Sequence, residues 1–378
     1  MIQPYTLKAC TVRALLIFLV PLFLFPSCQR QTEAPPPSVL RRLTVYSPHP
    51  QDMTDFVVKE FRQRTGIAVT VVSGGTGELL ERLRREAKDG PEDTSSVADV
   101  LWGGGVESLD TVRDLFAPYV SSEDSAIPDR FKDPQHLWTG FSVIPMTIIY
   151  NSRLVSPSQA PQSWSDLVRP LFRGRLAFAD PEKSGSAYTA LVTILRSQSI
   201  QKSPTISPIG NAEAWSFIDQ LVLALGKQTL DQSEAVYRGV AAGEYFAGIS
   251  FETAALTMIK GGSDIVLVYP KEGTSALPDG VALISGAPHG REGRQFIDFV
   301  LSRDVQTVVS ELWCRRSVRT DVAAPQSALP LEKIPLIPYD QAAASRSKER
   351  ILHEWKLRLS DNLVSYQTTF AFSRILAD

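Results

Sequence analysis

VTVVSGGTGELLERLRREA, residues Val69–Ala87, opens with four residues of strand type, turns on Ser73-Gly74-Gly75 and enters a helix at Thr76. Leu79, Leu80 and Leu83 give that helix an apolar stripe, and Glu81, Arg82, Arg84, Arg85 and Glu86 fill its wet face. A strand, a glycine-rich turn and a helix start make a ready anion site. The first backbone N–H groups lack intrahelical partners, and the helix dipole adds partial positive charge. The same residues fit a plainer purpose, in which Ser73 or Thr76 caps the helix and the glycines only make the turn. A second copy shifts the balance. Arg175–Ala179 reads as a strand, Asp180–Ser186 as its turn, and Ala187–Ser197 as a helix. Two helix starts with small, hydroxyl-bearing turns, one in each of two lobes, can grip one anion between them.

Outward from these units, strands alternate with helices, which predicts an α/β fold with βαβ units and mixed, mainly parallel sheets. Leu43–Pro50 is a short strand running into a proline-bounded turn, Met53–Thr65 is an amphipathic helix, and Val97–Leu101 is a strand ending in Trp102-Gly103-Gly104-Gly105. Ligands on such sheets sit beyond the carboxyl ends of the strands. Ser47, His49, Thr76 and Gly104 lie at three of those ends, which ordinary βα turns would also furnish with small polar residues. Val106–Phe116 reads as helix. Gly140–Asn151, a β-rich run broken at Pro145, is too long for one strand of the first sheet and reads as the crossing to a second lobe. Lys271–Asp279 reads as a loop and Val281–Ile284 as the return strand. The expected organisation is a leader over 1–28, a tether over 29–42, lobe 1 from 43–144 plus 283–378, and lobe 2 from 145–282. At 378 residues the chain is long enough for two cores.

Ser184, Gly185 and Ser186 open the helix of the second copy. Asp231 and Ser233 precede another helix and are read as specificity residues or as caps. Glu252 stands between a strand and a helix; it is either a favourable charge in a first turn or an acceptor for ligand hydroxyls or an amine. Trp215 is read as core packing.

The net charge of −2, with 21% charged residues, points away from nucleic acid. Lys8 and Arg13 precede an apolar stretch, Ala14–Phe25, too short for a comfortable membrane span. It ends in Phe25-Pro26-Ser27-Cys28, which resembles a bacterial lipobox although Phe25 and Pro26 depart from its commonest form. Cys28 is then the acylated residue, and Gln29–Pro37 a polar, proline-rich tether. Cys10 leaves with the leader, so Cys314 stands alone and no disulfide framework exists. No metal-ligand spacing of Cys or His is present.

LTVYSPHP, VSGGTGELLERL, ADVLWGGG, IIYNSRLV, FADPEKSGSAYT, GEYFAGISFETAA and LVYPKEGTSALPDGVALISGAPH carry a family resemblance over nearly all of residues 43–360. They resemble the type II solute-binding proteins of ABC importers, in the branch containing ferric-ion, hexose-phosphate and aminoethylphosphonate binders. The resemblance implies two lobes with a ligand cleft between them, a membrane permease as partner and an extracytoplasmic, lipid-anchored monomer. Ferric-binding members place two adjacent tyrosines after the strand that corresponds to Phe246–Ile249. Here that place holds Ser250-Phe251, so the anionic oxygens that Fe(III) prefers are missing. Ser47, Thr76, Ser184 and Ser186 match positions that contact phosphate in other members. The expected ligand is a small phosphorylated or phosphonate solute, such as a hexose phosphate. Ferric iron, thiamine or a polyamine is the alternative. No Ser-His-Asp order, carboxylate dyad or metal cluster suggests an enzyme, and no cofactor is expected.

Overall fold

The computed structural model describes residues 41–90, 97–200, 210–226 and 228–360. The expected leader, Cys28 and the tether up to residue 40 lie outside the described residues.

The first lobe is built from β1 (Arg42–Ser47), α1 (Gln51–Thr65), β2 (Ala68–Ser73), α2 (Thr76–Asp89), β3 (Val100–Gly105), α3 (Val106–Leu109) and β4 (Phe116–Ala117). β5 (Thr139–Asn151) leads into β6 (Leu176–Ala177), α4 (Gly185–Ile200), α5 (Ala212–Ala224), α6 (Ser233–Ala242), β7 (Ala247–Phe251), α7 (Glu252–Lys260) and β8 (Ile265–Val268). β9 (Ala276–Ile284) returns to α8 (Gly290–Leu301), α9 (Arg303–Trp313) and β10 (Arg316–Ser317), and α10 (Gln341–Arg346) precedes a tail helix over 348–360.

β1 pairs in parallel with β2 and β3, burying Leu43–Ser47 on both faces. Because side chains alternate along a strand, Leu43 and Val45 join Phe61 of α1 and Phe296 of α8 in one core, while Tyr46 joins Leu79, Leu80 and Leu83 of α2 in another. A third core belongs to the second lobe, where β7, α4 and α5 bring together Ile249, Leu191, Ile194, Ile218 and Leu221.

β5 belongs to both sheets. Thr139–Pro145 pairs with β9 beside β3, and Met146–Asn151 pairs with β7 and β8. The expected crossing within Gly140–Asn151 is therefore one continuous strand that changes sheet at Pro145/Met146. The return strand is longer than Val281–Ile284. β9 starts at Ala276, beside Pro145, and Thr274 Oγ1 donates to the Met146 carbonyl at 2.7 Å.

Four expectations need correction. The sheets are mixed, as expected, but not mainly parallel: three of the nine strand pairings among the described residues are parallel and six antiparallel, since β5 and β9 run against their neighbours. Val106–Phe116 is helical only to Leu109; Asp110–Leu115 is a 3-10 turn and Phe116 already pairs with Ile284. The glycines after Trp102 continue β3 through an irregular pairing with β9. The tail, grouped with lobe 1 by its place in the chain, buries Ala344, Ile351 and Trp355 in the second-lobe core.

Candidate functional site

Helix starts from both lobes converge on one cavity of about 350 Å³. From the first lobe come the turns before α1 and α2; from the second come the starts of α4 and α6, with Phe251 at the end of β7. α1, α2 and α6 carry no side-chain cap, so neither Ser73 nor Thr76 plays that part for α2. Their first turns thus border the cavity without the usual side-chain acceptor.

The sequence-derived residues fall around this cavity with one exception. Thr76 is buried, and its Oγ1 has no hydrogen-bond partner among the described residues. It packs against Gly104, whose φ of +89° and lack of a side chain are both required: a Cβ there would stand 2.7 Å from the Thr76 methyl. Ser184 caps α4 through the Ala187 N–H at 3.3 Å. Its hydroxyl meets those of Ser186 and Ser233 in a triangle with edges of 3.2, 2.6 and 2.6 Å. Three rotatable hydroxyls from two helix starts can turn toward one acceptor. Gly185 is the first residue of α4 and lies against Thr76.

Ser47 and His49 line the cavity but are engaged. Ser47 Oγ donates to the Trp102 carbonyl at 2.8 Å and accepts from the His49 N–H at 3.3 Å. His49 packs edge-on to Trp102, and its Nδ1 accepts from Arg315 Nη2 at 3.1 Å. Burial, then the Arg315 charge, holds its pKa well below the ordinary 6.5, so the ring is neutral at pH 7. Asp231 lies at the rim, paired with Lys183.

Glu252 is the exception. It is fully buried and absent from the cavity wall. Arg316 clasps it through Nε at 2.6 Å and Nη2 at 2.8 Å, and Tyr269 donates a third bond. The expected ligand contact does not describe it; it is the acidic first residue of α7, as the plainer reading has it. It is half of an ion pair tying α7 to β10.

Arg315, Asp279, Tyr237 and Phe251 also line the cavity, and none was foreseen. Arg315 Nη1 donates to Asp279 Oδ2 at 2.7 Å and to Ser142 Oγ at 2.9 Å; Ser142 in turn donates to Asp279 through its N–H and hydroxyl. Burial still outweighs these partners and raises the Asp279 pKa. The sequence signal was available in WCRRSVR (313–319), where two adjacent arginines follow a helix. In extended chain they must face opposite ways, and they do, one toward Asp279 and one toward Glu252.

The lobes also touch directly. The Gly77 N–H, in the first turn of α2, donates to the Lys183 carbonyl at 3.2 Å. A Cβ at Gly77 would lie 2.3 Å from the Glu182 carbonyl oxygen. These glycines make room for the opposite lobe, a use distinct from a ligand's approach.

Residues 106–344 match the model of a family described as bacterial extracellular solute-binding proteins. A Salmonella typhimurium periplasmic protein, provisionally named for 2-aminoethylphosphonate binding, is 28% identical over 268 residues, 69% of this chain and 73% of its own. Iron uptake protein A1 of Synechocystis is 24% identical over 305 residues, 76% of this chain and 79% of its own. The periplasmic binding protein AfuA of Actinobacillus pleuropneumoniae, solved with exogenous fructose-6-phosphate bound, is 25% identical. It superimposes with a TM-score of 0.75 over 84% of this chain and 98% of that one.

Proposed function

Since the chain belongs to the bacterial extracellular solute-binding proteins, we propose that its cleft captures a small phosphorylated or phosphonate solute, of which a hexose phosphate is one example. It works as the solute-binding component of an ABC importer, in the two-lobe type II periplasmic binding fold. One observation carries the ligand reading: uncapped helix starts, the Thr76 hydroxyl and the serine triangle border a single cavity. Backbone N–H groups and hydroxyls can hold a desolvated oxyanion there. The donor set speaks against ferric iron. Tyr237 is the one phenol lining the cavity among the described residues, and burial pushes its pKa up to about 12. Fe(III) calls for anionic oxygens.

The lobes divide at Pro145/Met146 and Ser275/Ala276, the tail helix rides with lobe 2, and the ligand closes the cleft by hinge rotation at those crossings. Strand pairing and core membership support this division. The mature protein acts as a monomer outside the cytoplasmic membrane, held by lipid on Cys28, and hands its solute unaltered to the permease. The apolar stretch ending in Phe-Pro-Ser-Cys supports the anchor.

Mass spectrometry of ligand released from denatured, freshly purified protein tests the ligand class directly. Calorimetry of Thr76→Val and Ser184→Ala tests its place. Each hydroxyl donor to a charged acceptor is worth roughly 1.5–3 kcal/mol, so each variant is expected to bind about one to two powers of ten more weakly. Undiminished binding by both variants puts the anion elsewhere. Preference for a dephosphorylated analogue or for Fe(III) overturns the reading itself.

A further inference from the structure

Every carboxylate lining the cavity among the described residues already holds an internal cation. Asp279 takes Arg315 Nη1 at 2.7 Å, Asp231 takes Lys183 Nζ at 2.5 Å, and Glu234 takes Arg238 Nε at 2.6 Å. The first pair is sealed; the other two lie toward solvent. A solute ammonium would therefore find no carboxylate standing free, and would enter beside Arg315 and Lys183.

Donors, by contrast, are in surplus. A guanidinium carries five N–H groups and accepts nothing. Arg315 commits Nη1 to Ser142 and Asp279 and Nη2 to His49, while its Nε has no acceptor among the described residues. His49 reinforces this bias. Its Nδ1 can only accept from a guanidinium, so the neutral ring carries its proton on Nε2, and that atom also has no hydrogen-bond partner. Asp279 Oδ2 lies 3.7 Å from it. His49 Nε2 is sealed, so the donor left for a solute acceptor is Arg315 Nε, on a side chain that lines the cavity.

We infer that the solute is a phosphorylated hydroxy or carbonyl compound rather than an aminoalkyl phosphonate, with Arg315 as the specificity residue that donates to a solute oxygen. This rests on the reading that a phosphorus oxyanion occupies the helix starts. It separates this chain from a relative named for 2-aminoethylphosphonate. His49 is a positioning residue, since it acts by fixing Nη2 of Arg315.

Calorimetry on the full chain with fructose-6-phosphate, 2-aminoethylphosphonate and inorganic phosphate tests the inference. Fructose-6-phosphate should bind at least tenfold more tightly than either of the others. Lys183→Met leaves Asp231 free and should narrow the preference over 2-aminoethylphosphonate at least threefold. The double variant Arg315→Gln, Asp279→Asn replaces the sealed ion pair with neutral hydrogen-bonding groups, leaving no buried charge alone. It should lose at least tenfold on fructose-6-phosphate and nothing on 2-aminoethylphosphonate; should it fail to fold, the wild-type ratios and Lys183→Met decide. Equal or tighter binding of 2-aminoethylphosphonate by the wild type overturns the inference and leaves the phosphate reading standing. Inorganic phosphate bound as tightly as fructose-6-phosphate overturns the role given to the hydroxyl-bearing end. Failure of all three to bind removes the phosphate reading together with the inference.

Discussion

Gly77→Ala should separate folding from ligand capture. Gly77 lies in the first turn of α2 and needs no left-handed backbone, so alanine suits its conformation; in a helix, alanine is favoured over glycine by up to about 1 kcal/mol. The obstacle comes from the other lobe. A methyl at this position would sit 2.3 Å from the Glu182 carbonyl oxygen, and that backbone atom must retreat by roughly 0.7–1 Å before the contact is tolerable. Retreat also stretches the 3.2 Å bond from the Gly77 N–H to the Lys183 carbonyl, worth about 0.5–1.5 kcal/mol net. With the steric term added, closure should be penalised by about 1.5–3 kcal/mol, and affinity for a phosphorylated ligand should fall roughly 10- to 100-fold. Thermal unfolding without ligand should be unchanged or shifted upward. Small-angle scattering with saturating ligand should show less compaction than in the wild type. Gly290→Ala is the control, because Gly290 starts α8 outside the cavity wall and a Cβ there meets only the Arg294 side chain, at 3.9 Å. If Gly77→Ala binds and compacts like the wild type, lobe approach through this turn is not part of capture.

Glu252→Ala leaves Arg316 buried without its carboxylate and should cost roughly 3–5 kcal/mol in denaturant unfolding. A fall in ligand affinity without that loss of stability would return Glu252 to the ligand site. Lys348 is half-buried over Tyr188 with Nζ donating to Ser108, and desolvation pushes its pKa down to about 8 from 10.5, against the pull of Glu107. Between those values the unfolded chain holds the proton and the folded chain has released it, so stability rises with pH across that window, by about 2–3 kcal/mol. Lys348→Met should lose this rise when unfolding is measured from pH 8 to 10.5; parallel curves for variant and wild type would refute it. Cys28→Ser should move the protein from membranes into the soluble fraction, and unchanged retention would count against lipid at this residue.

Local patterns in the chain made much of this architecture legible. Val69–Ala87 shows both the strand period and the helical stripe, and its neighbours repeat the alternation. The crossing was readable because Gly140–Asn151, a β-rich run broken at Pro145, is longer than one strand of the first sheet needs. Strand direction was less accessible, since β5 and β9 are defined by partners in distant parts of the chain. Arg315 was hidden for a related reason, since Asp279 and His49 meet it from separate segments, 36 and 266 residues away. Glu252 misled because its neighbours describe a helix start facing the cleft, whereas its carboxylate turns back to Arg316. The serine triangle was half visible: Ser184 and Ser186 share one turn, but Ser233 reaches them only because α6 starts beside α4.

The uncapped helix starts also bear on fidelity in the transport cycle. Bringing the lobes together over an empty cavity would strip water from N–H groups that no side chain replaces, at about 1–3 kcal/mol for each donor left unmatched. Two or three such donors hold the shut, unloaded form to a small minority. A permease that responds to the shut form is then seldom prompted by an empty carrier, and ATP is spared from idle turnover by the same groups proposed to hold the cargo.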